Sequence, residues 1–140
     1  MDQPAAVGRL APDGDWVGLR RRRDRYDLVV GRAGLILTAR RATPDEVLLT
    51  ALVYFSQALQ APPPEAEATH ADMADAVRWL AEHETDASRA ELLRRAVDAI
   101  DDGLAGDEVM SRLAAALPAA WRDRPASVLG ARATATLAAS

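Results

Sequence analysis

The sequence predicts an α+β domain, mainly helical, in which a small antiparallel β-meander at about residues 16–40 packs on a bundle of four to five helices. Three observations predict it. Short runs of β-forming residues, spaced by glycine, are confined to the first third of the chain. From residue 44 onward Ala, Leu and acidic residues recur at helical spacing instead. Apolar residues make up 49% of the 140 positions and 31 residues are Ala, so the bulky remainder suffices for one modest core and not for two. The expectation is therefore a single domain over 1–140, with a flexible arm at 1–14, the meander at 15–41 and the helical part at 44–138.

The arm is assigned because Pro4, Gly8, Pro12 and Gly14 carry little bulk between them. Strands follow at about 16–22, 26–31 and 35–40. Trp16, Val17 and Leu19 begin the first. Tyr26, Leu28 and Val30 alternate with Asp27, Val29 and Gly31 in the second. Leu35, Leu37 and Ala39 alternate with Ile36, Thr38 and Arg40 in the third, and Gly31-Arg32-Ala33-Gly34 supplies the turn. A helix over 20–30 competes with the first hairpin, because Arg and Leu also favour helices.

Thr43-Pro44-Asp45-Glu46 is the clearest local signal. Thr43 can cap, Pro44 suits the first helical position and Glu46 completes a capping box, opening a helix at about 44–60. Leu48, Leu52, Phe55 and Leu59 form its stripe, and Val47, Ala51, Tyr54 and Ala58 widen it. A rod apolar over so much of its circumference belongs at the centre of the fold. Pro62-Pro63-Pro64 ends it and begins an extended connector at 62–68. Thr69 caps a helix at about 70–84 with Met73, Val77 and Leu80 inward. Ser88 or Asp86 starts one at about 87–103, and Gly103 and Gly106 break it. Further helices are expected at about 107–117, stopped by Pro118, and at about 125–137, opened by Arg124-Pro125.

The formal charge is −4, from 17 basic and 21 acidic residues, and every basic residue is Arg. An Ala-rich, Lys-free chain suggests a high-GC, actinomycete-like bacterial genome, in which Arg stands where other proteins use Lys. Residues 1–41 carry a balance of +4 and residues 42–140 one of −8. The absence of Cys excludes a disulfide scaffold, a Cys-based zinc site and a thiol nucleophile. No apolar run approaches the ~20 residues of a membrane span, and the start of the chain lacks the signal-peptide pattern, so a cytoplasmic location without membrane contact is expected.

Arg20, Arg21, Arg22, Arg23 and Arg25 put five guanidinium groups in six positions. Their planar forks match phosphate oxygens, so nucleic acid, an acidic partner or an anionic membrane face fits them; a solvated turn balanced by the chain's own acids is the favoured reading. The net negative charge and the shortage of neighbouring aromatics weigh against a broad nucleic-acid footprint. His70 and His83 stand 13 residues apart, about 220° around an ideal helix, so they do not converge on a metal. No metal and no cofactor are expected. Gly31–Gly34 and Gly103–Gly106 are too short for a phosphate cradle. No nucleophile elbow and no Ser beside a His occur, so no catalytic residue is assigned. Trp16 and Trp121 are read as exposed aromatics near the two ends, Trp121 being also a plug for the C-terminal segment.

Asp107-Glu108-Val109, Leu113, Leu117-Pro118 and then Arg124-Pro125-Ala126-Ser127-Val128-Leu129 with Arg132 resemble a helical segment in some actinomycete DNA-transaction and regulatory proteins. The resemblance covers about 30 residues and implies helices on both sides of Pro118; it carries over no functional residue.

The functional expectation is a non-catalytic protein-interaction module: an adaptor, accessory subunit or regulator. Its binding surface would include Arg20–Arg25, Trp16 and Trp121. The partner is another protein or a second copy, the basic hairpin of one homodimer subunit meeting the acidic helices of the other. The alternatives are a nucleic-acid-binding regulator using Arg20–Arg25 and Arg40-Arg41, and a small-ligand protein or enzyme with a pocket between sheet and helices, using His83 or an Arg.

Overall fold

Four strands in consecutive order form one antiparallel meander, and five α-helices follow it, among the residues described by this computed structural model, 3–11 and 14–139. The strands are β1 (Pro4–Arg9), β2 (Trp16–Arg22), β3 (Arg25–Arg32) and β4 (Leu35–Arg41). The helices are α1 (Pro44–Ser56), α2 (His70–His83), α3 (Ala87–Asp101), α4 (Gly106–Ala116) and α5 (Pro125–Ala138). The α+β architecture with its sheet at the N-terminal end is as the sequence predicts. No helix among the described residues is long and apolar enough to cross a membrane.

The sheet corrects the expected arm. Pro4–Arg9 is an ordered edge strand paired with β2, Ala5 opposite Leu19 and Ala6 opposite Gly18, so the meander has four strands rather than three. Residues 1, 2, 12 and 13 of the expected arm lie outside the described residues. The small side chains of β1 hide it from pattern reading, because its partner supplies the bulk. The fit depends on Gly18, where a Cβ would stand 2.2 Å from the Ala5 carbonyl oxygen.

The inner face of the sheet presents Val17, Leu19, Tyr26, Leu28 and Val30 to the helices. α1 lies against β1, β2 and β3 and also against α2, α4 and α5, which makes it the axle of the fold. Val47, Leu48, Leu49, Ala51 and Val53 are wholly buried there. Its capping box forms as the sequence implies: Glu46 N–H donates to Thr43 Oγ1 at 3.1 Å and Thr43 N–H donates to Glu46 Oε1 at 2.9 Å. The helix stops at Ser56, short of the expected residue 60, because Gln57 turns left-handed (φ 53°) and donates back to Val53 and Tyr54. The chain beyond is then free to run beside β1, where Arg9 N–H donates to the Gln60 carbonyl and Ala68 N–H to the Ala6 carbonyl, each at 2.8 Å. The connector also holds one turn of 3-10 helix at Pro64–Ala66.

Two arginine nodes lock sheet to helices. Arg40 of β4 grips buried Glu46 of α1 with both terminal nitrogens, at 2.8 and 2.6 Å, and its Nε donates to Thr136 of α5 at 3.0 Å. Burial pushes the Glu46 carboxyl up. The hydrogen bonds from Arg40 and Thr43 and the charges of Arg40 and Arg132 outweigh that push and leave it below its ordinary value. Arg89 of α3 bridges Asp45 at the start of α1, Glu84 after α2 (3.3 Å) and the Ala116 carbonyl at the end of α4 (3.1 Å).

Candidate interaction surface

The expected binding residues are scattered by the fold. Arg20–Arg25 form the β2–β3 hairpin, with Arg23 left-handed at its tip (φ 55°). Strand alternation sends Arg20, Arg22 and Arg25 to the outer face of the sheet, together with Asp27 and Arg41, which are register partners. Arg21 goes to the inner face. Asp27 is only 3% exposed; it takes Arg20 at 3.1 Å and faces Arg25 Nε at 3.4 Å. Arg21 donates to the Arg23 carbonyl at 2.7 Å and lies 5.2 Å over the Tyr26 ring. Tyr26 is held edge-on by Trp79, whose Nε1–H donates to the Asp24 carbonyl at 3.1 Å, and burial raises the phenol above its ordinary value. Much of the cluster's charge is therefore spent within the hairpin.

Trp16 is not exposed, contrary to expectation: 1% of its surface reaches solvent. It lies on the outer face across the neighbouring strand, where Gly31 leaves room; a Cβ there would stand 2.2 Å from Trp16 Cζ2. Its Nε1–H donates to the Ala33 carbonyl at 2.9 Å, and Ala6, Val29 and Ala66 pack with it. Trp121 is half-buried against the core, its ring capped by the Arg132 guanidinium at 4.6 Å, in keeping with a plug for the C-terminal segment. The two histidines occupy separate settings: His70 meets the edge of Phe55 and His83 stacks on Trp79.

The apolar surface left outside lies elsewhere. Leu35, Ile36 and Leu37 are 71%, 39% and 42% exposed, three of the four large apolar side chains so exposed among the described residues. They open β4, an edge strand with no further strand on its far side among the described residues. The two edges of the sheet are thus unlike. The edge at β1 is covered by the connector, through the bonds of Arg9 and Ala6 given above. The edge at β4 begins with three bulky apolar residues and carries neither an acid nor a proline. Natural sheets blunt free edges with charge, proline, a bulge or a covering segment, because an open apolar edge pairs with other chains. β4 has a register shift opposite Val30–Gly31 and keeps its charge to Arg40 and Arg41 at the far end.

Sequence reading passed over this patch by treating β4 as a one-faced strand. The available signal is that Leu35, Ile36 and Leu37 are consecutive. A strand covered on one face needs bulk only at every second position, so a third apolar residue must point away from the helices.

Clefts between sheet and helices are present but modest. One of about 390 Å³ is lined by Ala6, Val7, Tyr54, Gln57, Leu59 and Glu67 among others, where β1 meets the end of α1. A second of about 230 Å³ lies between Arg21, Tyr26, Asp72 and Asp75. The first brings Tyr54 near Glu67, and the second brings Tyr26 near Asp72 and Asp75. Comparison with protein-family models, with curated proteins and with solved structures finds no match to this chain.

Proposed function

We propose that the chain is a non-catalytic protein-interaction module, an adaptor, accessory subunit or regulator, that engages its partner along the free edge of β4. The observation carrying this reading is the contrast between the two sheet edges, one closed by the chain's own connector and the other, among the described residues, without a covering strand and exposed and apolar at Leu35–Leu37. Strand addition at such an edge uses main-chain hydrogen bonds for affinity and alternate side chains for choice of partner. The rigid body behind the edge, with the Arg40–Glu46 node at its end, presents the strand pre-formed, which lowers the ordering cost of binding.

A photo-crosslinking residue at position 37, compared with one at exposed Glu91 on α3, tests this in extract of the source organism. Crosslinks specific to position 37, to a protein that binds again when purified, are the expected result. Equal crosslinking at both positions refutes it. The outer-face grouping of Arg20, Arg22, Arg25 and Arg41 favours a second reading, binding of nucleic acid. Retention on DNA or RNA at low salt, lost when Arg22, Arg25 and Arg41 become Ala, is its signature, because the phosphate contribution is strongest there.

A further inference from the structure

We infer that the segment docking on β4 is an extended peptide of fixed polarity, acidic at its amino end and apolar after it. This rests on the reading of β4 as the docking edge, and it adds the chemistry of the occupant. The charge pattern supplies the argument. No Asp or Glu occurs between Leu28 and Pro44, whereas Arg32, Arg40 and Arg41 all fall in that run. Arg32 is engaged by Asp15 at 2.8 Å and Arg40 by Glu46 at 2.6 Å. Arg41 is exposed, and its side chain has no ion pair among the described residues. β4 therefore offers an apolar beginning at Leu35–Leu37 and one uncommitted positive charge at its end. Ile36 and Arg41 stand opposite Gly31 and Asp27, four residues apart on β3, so across the register shift they are about 14 Å apart along the strand.

The sheet is antiparallel throughout, and antiparallel pairing is the more stable addition per residue. A peptide added in that sense meets Arg41 first and Leu35–Leu37 last. Its acid thus precedes its apolar residues by about four positions. The apolar residues alternate, because a strand at the edge sends successive side chains to opposite faces. A second copy of this chain is a poorer occupant. It would bring a further Arg32, Arg40 and Arg41 to an edge that holds no acid of its own.

The probe is a capped, fluorescent heptapeptide with two glutamates at its amino end followed by alternating threonine and valine. Its control is the same composition in reversed order. Fluorescence anisotropy on the full chain should show the forward peptide binding about threefold to fivefold more tightly than the reversed one, the scale of one exposed ion pair. High salt should erase the preference. Arg41→Glu should remove the forward peptide's advantage while leaving residual binding of both. Leu37→Lys should abolish binding of both, and Leu35→Lys provides a second test of the apolar half. Both sites are exposed, so circular dichroism of each variant should match the parent. Equal binding by the two orders, or binding by neither, overturns the inferred polarity; if crosslinks specific to position 37 persist, the docking edge stands and only the chemistry of the occupant falls. A parent chain that sediments as a dimer and that Leu37→Lys turns into a monomer also overturns it, because the occupant is then a second copy.

Discussion

Glu46→Gln tests the account of how the sheet is fastened to the helices. The carboxylate is 1% exposed and accepts from Arg40 at 2.8 and 2.6 Å and from Thr43 N–H at 2.9 Å, with Arg132 at 3.5 Å. Hydrogen bonds to charged groups contribute about 1.5–3 kcal/mol each. The amide keeps the shape and one acceptor, so no cavity opens and the capping bond from Thr43 can survive. The gross loss must be discounted, because the Arg40 and Arg132 side chains are each 38% exposed and can turn to water, and because the neutral amide is cheaper to bury. A net loss of about 2–3 kcal/mol remains, or about 6–12 °C in Tm for a chain of this size.

The pH dependence follows from the depressed carboxyl. Its ordinary value is 4.5 and its folded value lies below that, so its stabilisation is complete above about pH 4.5 and is lost as pH falls through the folded value. Urea unfolding followed by circular dichroism should show the full gap between parent and variant at pH 7. The gap should narrow steadily below pH 4.5. A double-mutant cycle with Arg40→Met should return a coupling of about 1–3 kcal/mol. A gap under about 0.5 kcal/mol at pH 7, or one unchanged at pH 3, refutes the node.

Further outcomes follow from the outer face and the turns. Gly31→Ala forces a Cβ into the Trp16 ring and should cost about 1–3 kcal/mol, with a changed near-ultraviolet spectrum. Trp16→Ala, which empties a site 1% exposed, should cost about 3–5 kcal/mol by urea titration. Trp79→Phe removes the bond to the Asp24 carbonyl and should cost about 0.5–1.5 kcal/mol while keeping the contact with Tyr26. Gln57→Gly relieves a left-handed residue at the end of α1 and should raise the urea midpoint by the equivalent of about 0.5 kcal/mol.

Local chemistry made the helical part legible. Thr43 with Glu46 and Thr69 with Asp72 both close capping boxes, and Asp86 caps α3. Gly103, left-handed at φ 68°, follows the end of α3. These contacts join residues three or four apart, so composition and spacing state them directly. The strands β2, β3 and β4 were legible for the same reason, through alternation and a short turn. The candidate site was far less so. Arg20–Arg25 stood out as charge, yet whether that charge is free depends on Asp27, Tyr26 and Trp79.

What the sequence by itself determined is the class of fold, the order of its elements from Trp16 onward and the central helix after Thr43, because all of these rest on periodicity and on bonds between near neighbours. Tertiary structure alone decided that Pro4–Arg9 is a strand, that Trp16 is buried over Gly31, and that β1 is the covered edge while β4 is the open one. Those outcomes depend on contacts between residues remote in the chain. A strand's bulk can be supplied by its partner, and an apolar residue is exposed or buried according to what the rest of the molecule lays over it.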